Sequence, residues 1–319
     1  MTRQARIRVG DPRVQDTVLF PPGDGFGPRR IAAVAQAILE DDFLVNVERI
    51  YPLLGFDAAA AMRLSRARQK ERALREAGRL PPLSELHRSL QPRIRAIGLE
   101  LVTGLFLDCL DSPTETTCAC AVYMDGDRPI PVAPAGKGKP DARANYPDFT
   151  IVAEATIGKK TGPEPLQRQY TSAIAHIGDI LTGRVRPRGY CLMVSRAKLR
   201  DEQVPVLIVE TQEELDRNHG PGNVRVLAFG IDEMAHIAEQ LDRLYPDGKD
   251  VRPPTAEDLA DILDTLHGET MERISSGEPF PDQWAAKQFE KLLRKHAGGR
   301  PVKTLFDQPP EQDGQAADD

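Results

Sequence analysis

No stretch of this 319-residue chain stays apolar for the roughly 20 residues that a membrane-spanning helix needs. The first residues, MTRQARIRVGDPRV, carry bases with no apolar segment behind them, so no secretory signal is expected and the cytoplasm is the expected compartment. Cysteine is scarce, and four in a chain this long do not make a disulfide scaffold. Cys118 and Cys120 stand closer in sequence than the pairs of usual zinc sites, and Cys109 and Cys191 lie apart from them, so buried reduced thiols are expected. Aromatic residues make up 5% of the chain, too few for a platform that stacks single-stranded bases. An excess of positive charge is missing as well: the net charge is −6, which argues against a uniformly cationic coat and leaves room for a local basic face. Other catalytic signatures are absent, with no Gly-rich phosphate loop ending in Lys-Ser/Thr, no GxSxG and no HExxH. Gly23, Gly25 and Gly27 precede no strand–helix pair and read as loop, and no internal repeat is present.

What is present is an ordinary globular composition, 40% apolar and 28% charged, in a length that fits one large domain or two to three smaller ones. Residues 1–30 are rich in Pro and Gly and read as irregular. A helical pattern starts at Ile31, and a second helix is expected over 57–77, stopped by Pro81-Pro82. Seven bases lie between Arg63 and Arg79 against two acids, Glu71 and Glu76, and the first hundred residues carry five more bases than acids. A third helix is expected over 83–110, apolar on most sides in its lower half and therefore buried. Then come a strand at 118–123, a Gly/Pro-rich loop to Pro140, a hairpin, a helix at 164–181, and strands at 189–195, 204–209 and 224–229. Helices are expected near 231–244, 255–274 and 281–297, followed by a polar, disordered tail over 301–319. The expected fold class is α/β (α+β): a core with a mixed sheet, flanked by helical N- and C-terminal segments.

The hairpin lies in GKGKPDARANYPDFTIVAEATIGKK, residues 136–160. Asp141 opens its first strand, Pro147-Asp148 makes the turn, and the second strand is apolar and β-branched except for Glu154. A carboxylate in an apolar strand is costly unless it is exposed, paired or holding a cation. Two carboxylates on adjacent strands are enough to anchor Mg²⁺, a hard ion that prefers oxygen ligands and keeps several waters. Asp141 and Glu154 are the candidate pair, and the carbonyl of Ala155 is a further candidate ligand. Asp148 is the second choice. It lies six residues before Glu154 on the same strand, which puts the two about 20 Å apart, too far to share one ion.

Residues 92–200 resemble the PD-(D/E)xK nuclease superfamily, and within it the AlwI-type restriction endonucleases. Pro140-Asp141, Tyr146-Pro-Asp-Phe149, the strand ending Val152-Ala-Glu154-Ala-Thr156, Gln167-Arg-Gln169, His176 and the upstream Arg95-Ala-Ile-Gly98-Leu-Glu100 carry the resemblance. Pro-Asp alone carries little, since it occurs four times here; the order helix-Glu, Pro-Asp, hairpin, Glu-x-Thr, helix carries more. The resemblance implies a restriction-endonuclease-like core at 91–230, between an Arg-rich helical DNA-binding region at 1–90 and a C-terminal helical region at 231–300. It implies Mg²⁺, with Mn²⁺ as a substitute, held by Asp141, Glu154 and Glu100. The family's usual lysine two positions after the second acid is Thr156 here. Lys159 or Lys160 is then expected to supply the positive charge, and Thr156 to orient water.

The implied activity is hydrolysis of double-stranded DNA by a type II restriction endonuclease, with the IIS subtype open. The implied partners are duplex DNA, a second copy of the chain on DNA and a cognate methyltransferase. Arg66 and Lys70 on the basic helix, and Gln167, Arg168 and Gln169 at the helix after the hairpin, are the expected DNA contacts. A second basic group, from Arg184 to Arg200, brackets the strand after the site. His176, seven residues after Gln169 and so on the same helical face, reads as a buried, hydrogen-bonded core histidine. The alternative function is a catalytically inactive or partner-dependent DNA-binding subunit of a defence or repair system, favoured by the missing lysine.

Overall fold

A computed structural model describes residues 14–15, 18–20, 28–39, 94–110, 115–125, 128–133, 135, 139–156, 163–181, 188–244 and 254–296. The expected helix at 57–77 with Arg66 and Lys70, the two lysines Lys159 and Lys160, and the tail lie outside these residues.

The centre is a six-stranded mixed sheet, so the expected fold class holds. Its order is β2 (Val18–Phe20), β3 (Glu115–Cys118), β6 (Ala142–Asn145), β7 (Thr150–Thr156), β8 (Gly189–Ser195) and β9 (Val224–Gly230). The first four strands pair antiparallel and the last three parallel, so β7 is where the sheet changes sense. Every residue of β8 is buried, as expected for a parallel strand covered on both faces. The parallel crossovers are helices, α3 (Pro163–Leu181) between β7 and β8, and α4 (Gln203–His219) between β8 and β9.

The remaining described helices are α1 (Pro28–Leu39), α2 (Ile94–Leu110), α5 (Ile231–Leu244), α6 (Ala256–Ser276) and α7 (Trp284–His296). All share one hydrophobic core with the sheet, from Ile31 and Ile38 through Phe106, Phe149, Tyr190 and Phe229 to Phe289. The apolar lower half of α2 is buried, as its sequence predicts, except at Asp108 and Cys109, which are half-buried. A capping box at Thr255 and Asp258 starts α6, and Gly277, with φ of 69°, ends it in the left-handed conformation that glycine tolerates.

Four local expectations change. The strand read at 204–209 is the start of α4, where Val204, Leu207, Ile208, Thr211, Gln212 and Leu215 are the buried residues. That spacing is helical, and Pro205 falls in the first turn, where its missing N–H costs nothing. The strand read at 118–123 breaks at Ala119-Cys120: β3 stays in the main sheet, while β4 (Ala121–Asp125) joins a second, three-stranded sheet ordered β1 (Val14–Gln15), β4, β5. The loop read up to Pro140 contains β5 (Arg128–Ala133), an edge strand of that sheet. Pro129 and Pro131 face Met124 and Val122 at alternate positions, which directs both missing N–H groups to one side, and an edge strand has such an unpaired side. Within the irregular first thirty residues, β1 and β2 are strands. No described helix is long and apolar enough to cross a membrane.

Candidate active site

The hairpin forms as its sequence implies. Strands β6 and β7 pair from Asn145 opposite Thr150 to Ala142 opposite Ala153. Tyr146 donates its N–H to the carbonyl of Phe149 at 2.9 Å, and Pro147 and Asp148 are exposed at the tip. Asp148 is therefore at the turn, at the opposite end of β7 from Glu154.

Asp141 is at the other end, beside Glu154. The β6–β7 register stops two residues short of Ala155, and there Asp141 Oδ2 accepts the Ala155 N–H at 2.7 Å. The Asp141 carbonyl accepts the Ala119 N–H at 3.2 Å, which fixes the residue from the β3 side as well. Glu154 is 5% exposed. Helix α3 buries Gln169, Tyr170, Ala173, His176 and Ile177 along one face and lays two polar side chains against Glu154. His176 Nδ1 lies 2.5 Å from Glu154 Oε1, and Gln169 donates through Nε2 to the Glu154 carbonyl at 2.5 Å and the Val194 carbonyl at 3.2 Å.

Helix α2 delivers the third acid. Glu100 is 5% exposed on a largely apolar helix, and its Oε2 accepts the Ala135 N–H at 2.8 Å. Burial, then the charge of Asp141, pushes the Glu100 carboxyl up to about 9. Asp141 is raised to about 7 by burial and by Glu154, against the lowering effects of the Ala155 N–H and His176. Glu154 is also raised by burial, and its contact with His176 works the other way. Three acids within electrostatic reach of one another, all held above their ordinary range, form a site that gains from a positive charge. Among the described residues, no three His, Cys, Asp or Glu side chains converge closely enough to enclose an ion. The fit is to an ion that takes two protein carboxylates and completes its shell with water. Asp141 and Glu154 supply those carboxylates, and each has one oxygen, Oδ1 and Oε2, outside the hydrogen bonds above.

The other expected residues divide by position. Thr156 is half-buried at the end of β7, in register with Ser195. Gln167 and Arg168 are exposed on the first turns of α3, whereas Gln169 is inside, with its amide committed to the two strands. The described members of the second basic group are engaged within the protein. Arg188 pairs with Asp264, Arg196 donates to the Leu39 carbonyl, Lys198 holds Asp232 and Asp282, and Arg200 pairs with Asp282. His176 is buried and hydrogen-bonded as expected, but its partner is Glu154 and it belongs to the site. Its seven-residue spacing from Gln169 was the available signal, since both project from the face of α3 that covers β7.

No protein-family model matches this chain, and no curated protein matches it. Among solved structures, the small subunit of the heterodimeric restriction endonuclease R.BspD6I is similar over 57% of this chain and 90% of that one, with a TM-score of 0.39 and 17% identity.

Proposed function

We propose that this chain is a Mg²⁺-dependent endodeoxyribonuclease of the PD-(D/E)xK type, with Mn²⁺ as a substitute, acting on double-stranded DNA as a type II restriction enzyme of the AlwI kind. One observation carries the reading: Asp141 and Glu154 stand side by side at the strand where the sheet turns from antiparallel to parallel, with Glu100 against them. Glu154 is buried and Asp141 half-buried, and among the described residues neither pairs with a lysine or arginine, which is costly for a purely structural role.

Asp141 and Glu154 would hold the metal, and Glu100 would add negative charge or bind through water. When bound, the metal supplies a more acidic water and stabilises charge building on the phosphate oxygens. Thr156 would orient the attacking water. Lys159 and Lys160 follow β7 in the sequence and are the candidates for the missing positive charge. Duplex cleavage by a single-site chain calls for two copies on DNA, and the basic residues of 63–79 are the proposed phosphate contacts.

Cleavage of phage DNA by Glu154→Ala, Asp141→Asn and Asp148→Asn tests the assignment. Glu154→Ala and Asp141→Asn should lose cutting by at least about 100-fold while still shifting DNA in a gel, and Asp148→Asn should cut as the parent does. Normal cutting by Glu154→Ala would sink the site. The second reading, an inactive or partner-dependent DNA-binding subunit, draws on Thr156 at the lysine position. A salt-sensitive gel shift without cleavage by the parent chain would favour it.

A further inference from the structure

Helix α3 grips Glu154 twice. Gln169, early in the helix, takes the backbone carbonyl of Glu154 and that of Val194 on the next strand, which fixes where the end of β7 lies against β8. Two turns later, His176 takes the carboxylate through Oε1 at 2.5 Å. The two side chains are 8% and 7% exposed, so solvent hardly competes for the contact. A glutamate side chain has three rotatable bonds, and a ligand that must meet an ion in one geometry loses affinity if it samples several. With Oε1 committed to the imidazole, the carboxylate plane is set and Oε2 is the oxygen left outside that contact.

We propose that His176 is a positioning residue for metal binding. Its Nδ1–H fixes the rotamer of Glu154 and reserves Oε2 for a divalent cation shared with Asp141. This inference rests on the metal-dependent reading above. It assigns to α3, the crossover helix, the task of orienting an acid that α3 does not carry. An outer hydrogen bond of this kind typically changes metal affinity by about 10- to 100-fold.

The test uses the full chain and Mn²⁺ alone, without DNA, followed by water proton relaxation and by calorimetry. The variants are His176→Ala, His176→Asn and Glu154→Ala, with near-ultraviolet circular dichroism to confirm folding. An asparagine amide nitrogen sits close to where Nδ1 sits, one bond beyond Cγ, so it restores the hydrogen bond without the ring. His176→Ala should bind Mn²⁺ at least about tenfold more weakly, and His176→Asn should return to within about threefold of the parent. Equal Mn²⁺ affinity in the parent and His176→Ala would overturn the proposal and leave the metal site standing. Loss of affinity to the same extent in the alanine and asparagine variants, both folded, would also overturn it, because the ring and not the hydrogen bond would then matter. If His176→Ala does not fold, His176→Asn alone decides: near-parental affinity supports the proposal, and loss contradicts it. Failure of the parent to bind Mn²⁺ in any Glu154-dependent way would overturn the metal reading and this inference together.

Discussion

Two buried acids, Glu100 and Glu154, and the half-buried Asp141 repel one another when ionised with no cation between them. Glu100, raised from 4.5 to about 9, and Asp141, raised from 3.8 to about 7, both keep their protons to a higher pH in the folded protein than in the unfolded chain. The folded state therefore holds more protons than the unfolded chain across that range. The stability linked to each group is full below its unfolded value and is lost as pH rises through its folded value. Metal-free protein should thus lose stability between about pH 4 and pH 9, and added Mn²⁺ should restore it at pH 8. Glu100→Gln removes one charge at nearly constant shape, so without metal at pH 9 it should melt higher than the parent by an amount on the order of 1–3 kcal/mol. A thermal melt series from pH 5 to 9 checks this, and a lower Tm for Glu100→Gln at pH 9 would show that Glu100 is not held against other charges.

The same residues show what a sequence conveys. That Asp141 lies near Glu154 and Asp148 at the far end of β7 was legible because a hairpin joins the two strands and strand rise carries Asp148 away. His176 was legible as a buried histidine, but its partner was not, since helix α3 reaches β7 through tertiary packing that no local spacing encodes. Gln169 was expected at a surface, yet its amide is spent on the ends of two strands, a role that exists only once β7 and β8 lie side by side.

At the level of elements, the misread segments were short apolar runs. VPVLIV over 204–209 satisfies a strand pattern until Thr211, Gln212 and Leu215 extend the helical spacing. Arg-Pro-Ile-Pro-Val-Ala over 128–133 has two prolines and reads as loop, but an edge strand tolerates them. The long periodic helices α5, α6 and α7 were legible because each presents a sustained apolar face.

The starts of α5 and α7 are tied by one buried acid that the sequence did not mark. Glu233, 1% exposed, accepts the Gly230 N–H at 2.7 Å and the Ala285 N–H at 3.1 Å. Glu233→Ala leaves both donors buried without that partner and should cost roughly 2–4 kcal/mol, measured as the loss of urea midpoint at constant slope. At Gly230 itself, an added Cβ would lie 2.7 Å from Asp232 Oδ1 and 3.1 Å from Lys198 Cγ. Gly230→Ala should therefore cost about 1–3 kcal/mol by crowding the Lys198–Asp232 pair. A neutral result for both variants would mean that this junction relaxes freely.

For the whole molecule, one core joins the N-terminal helix α1, the sheet and the C-terminal helices α5 to α7, so the acid cluster sits on a scaffold braced from both ends of the chain. With a net charge of −6, the proposed DNA binding would be a matter of local patches. Affinity should then fall steeply with salt, with a log–log slope of roughly 0.9 per phosphate contacted. A salt-independent gel shift would rule out the phosphate-tracking role of residues 63–79.

The central claim is that the Asp141–Glu154 pair serves metal-dependent cutting of duplex DNA. Purified protein incubated with unmethylated phage DNA, in Mg²⁺ and in chelator, beside Glu154→Ala, tests it most directly. Discrete fragments that need Mg²⁺ and vanish in Glu154→Ala are the predicted result. Fragments that persist in chelator or in Glu154→Ala, or intact DNA across a range of Mg²⁺ and Mn²⁺ concentrations, would contradict it.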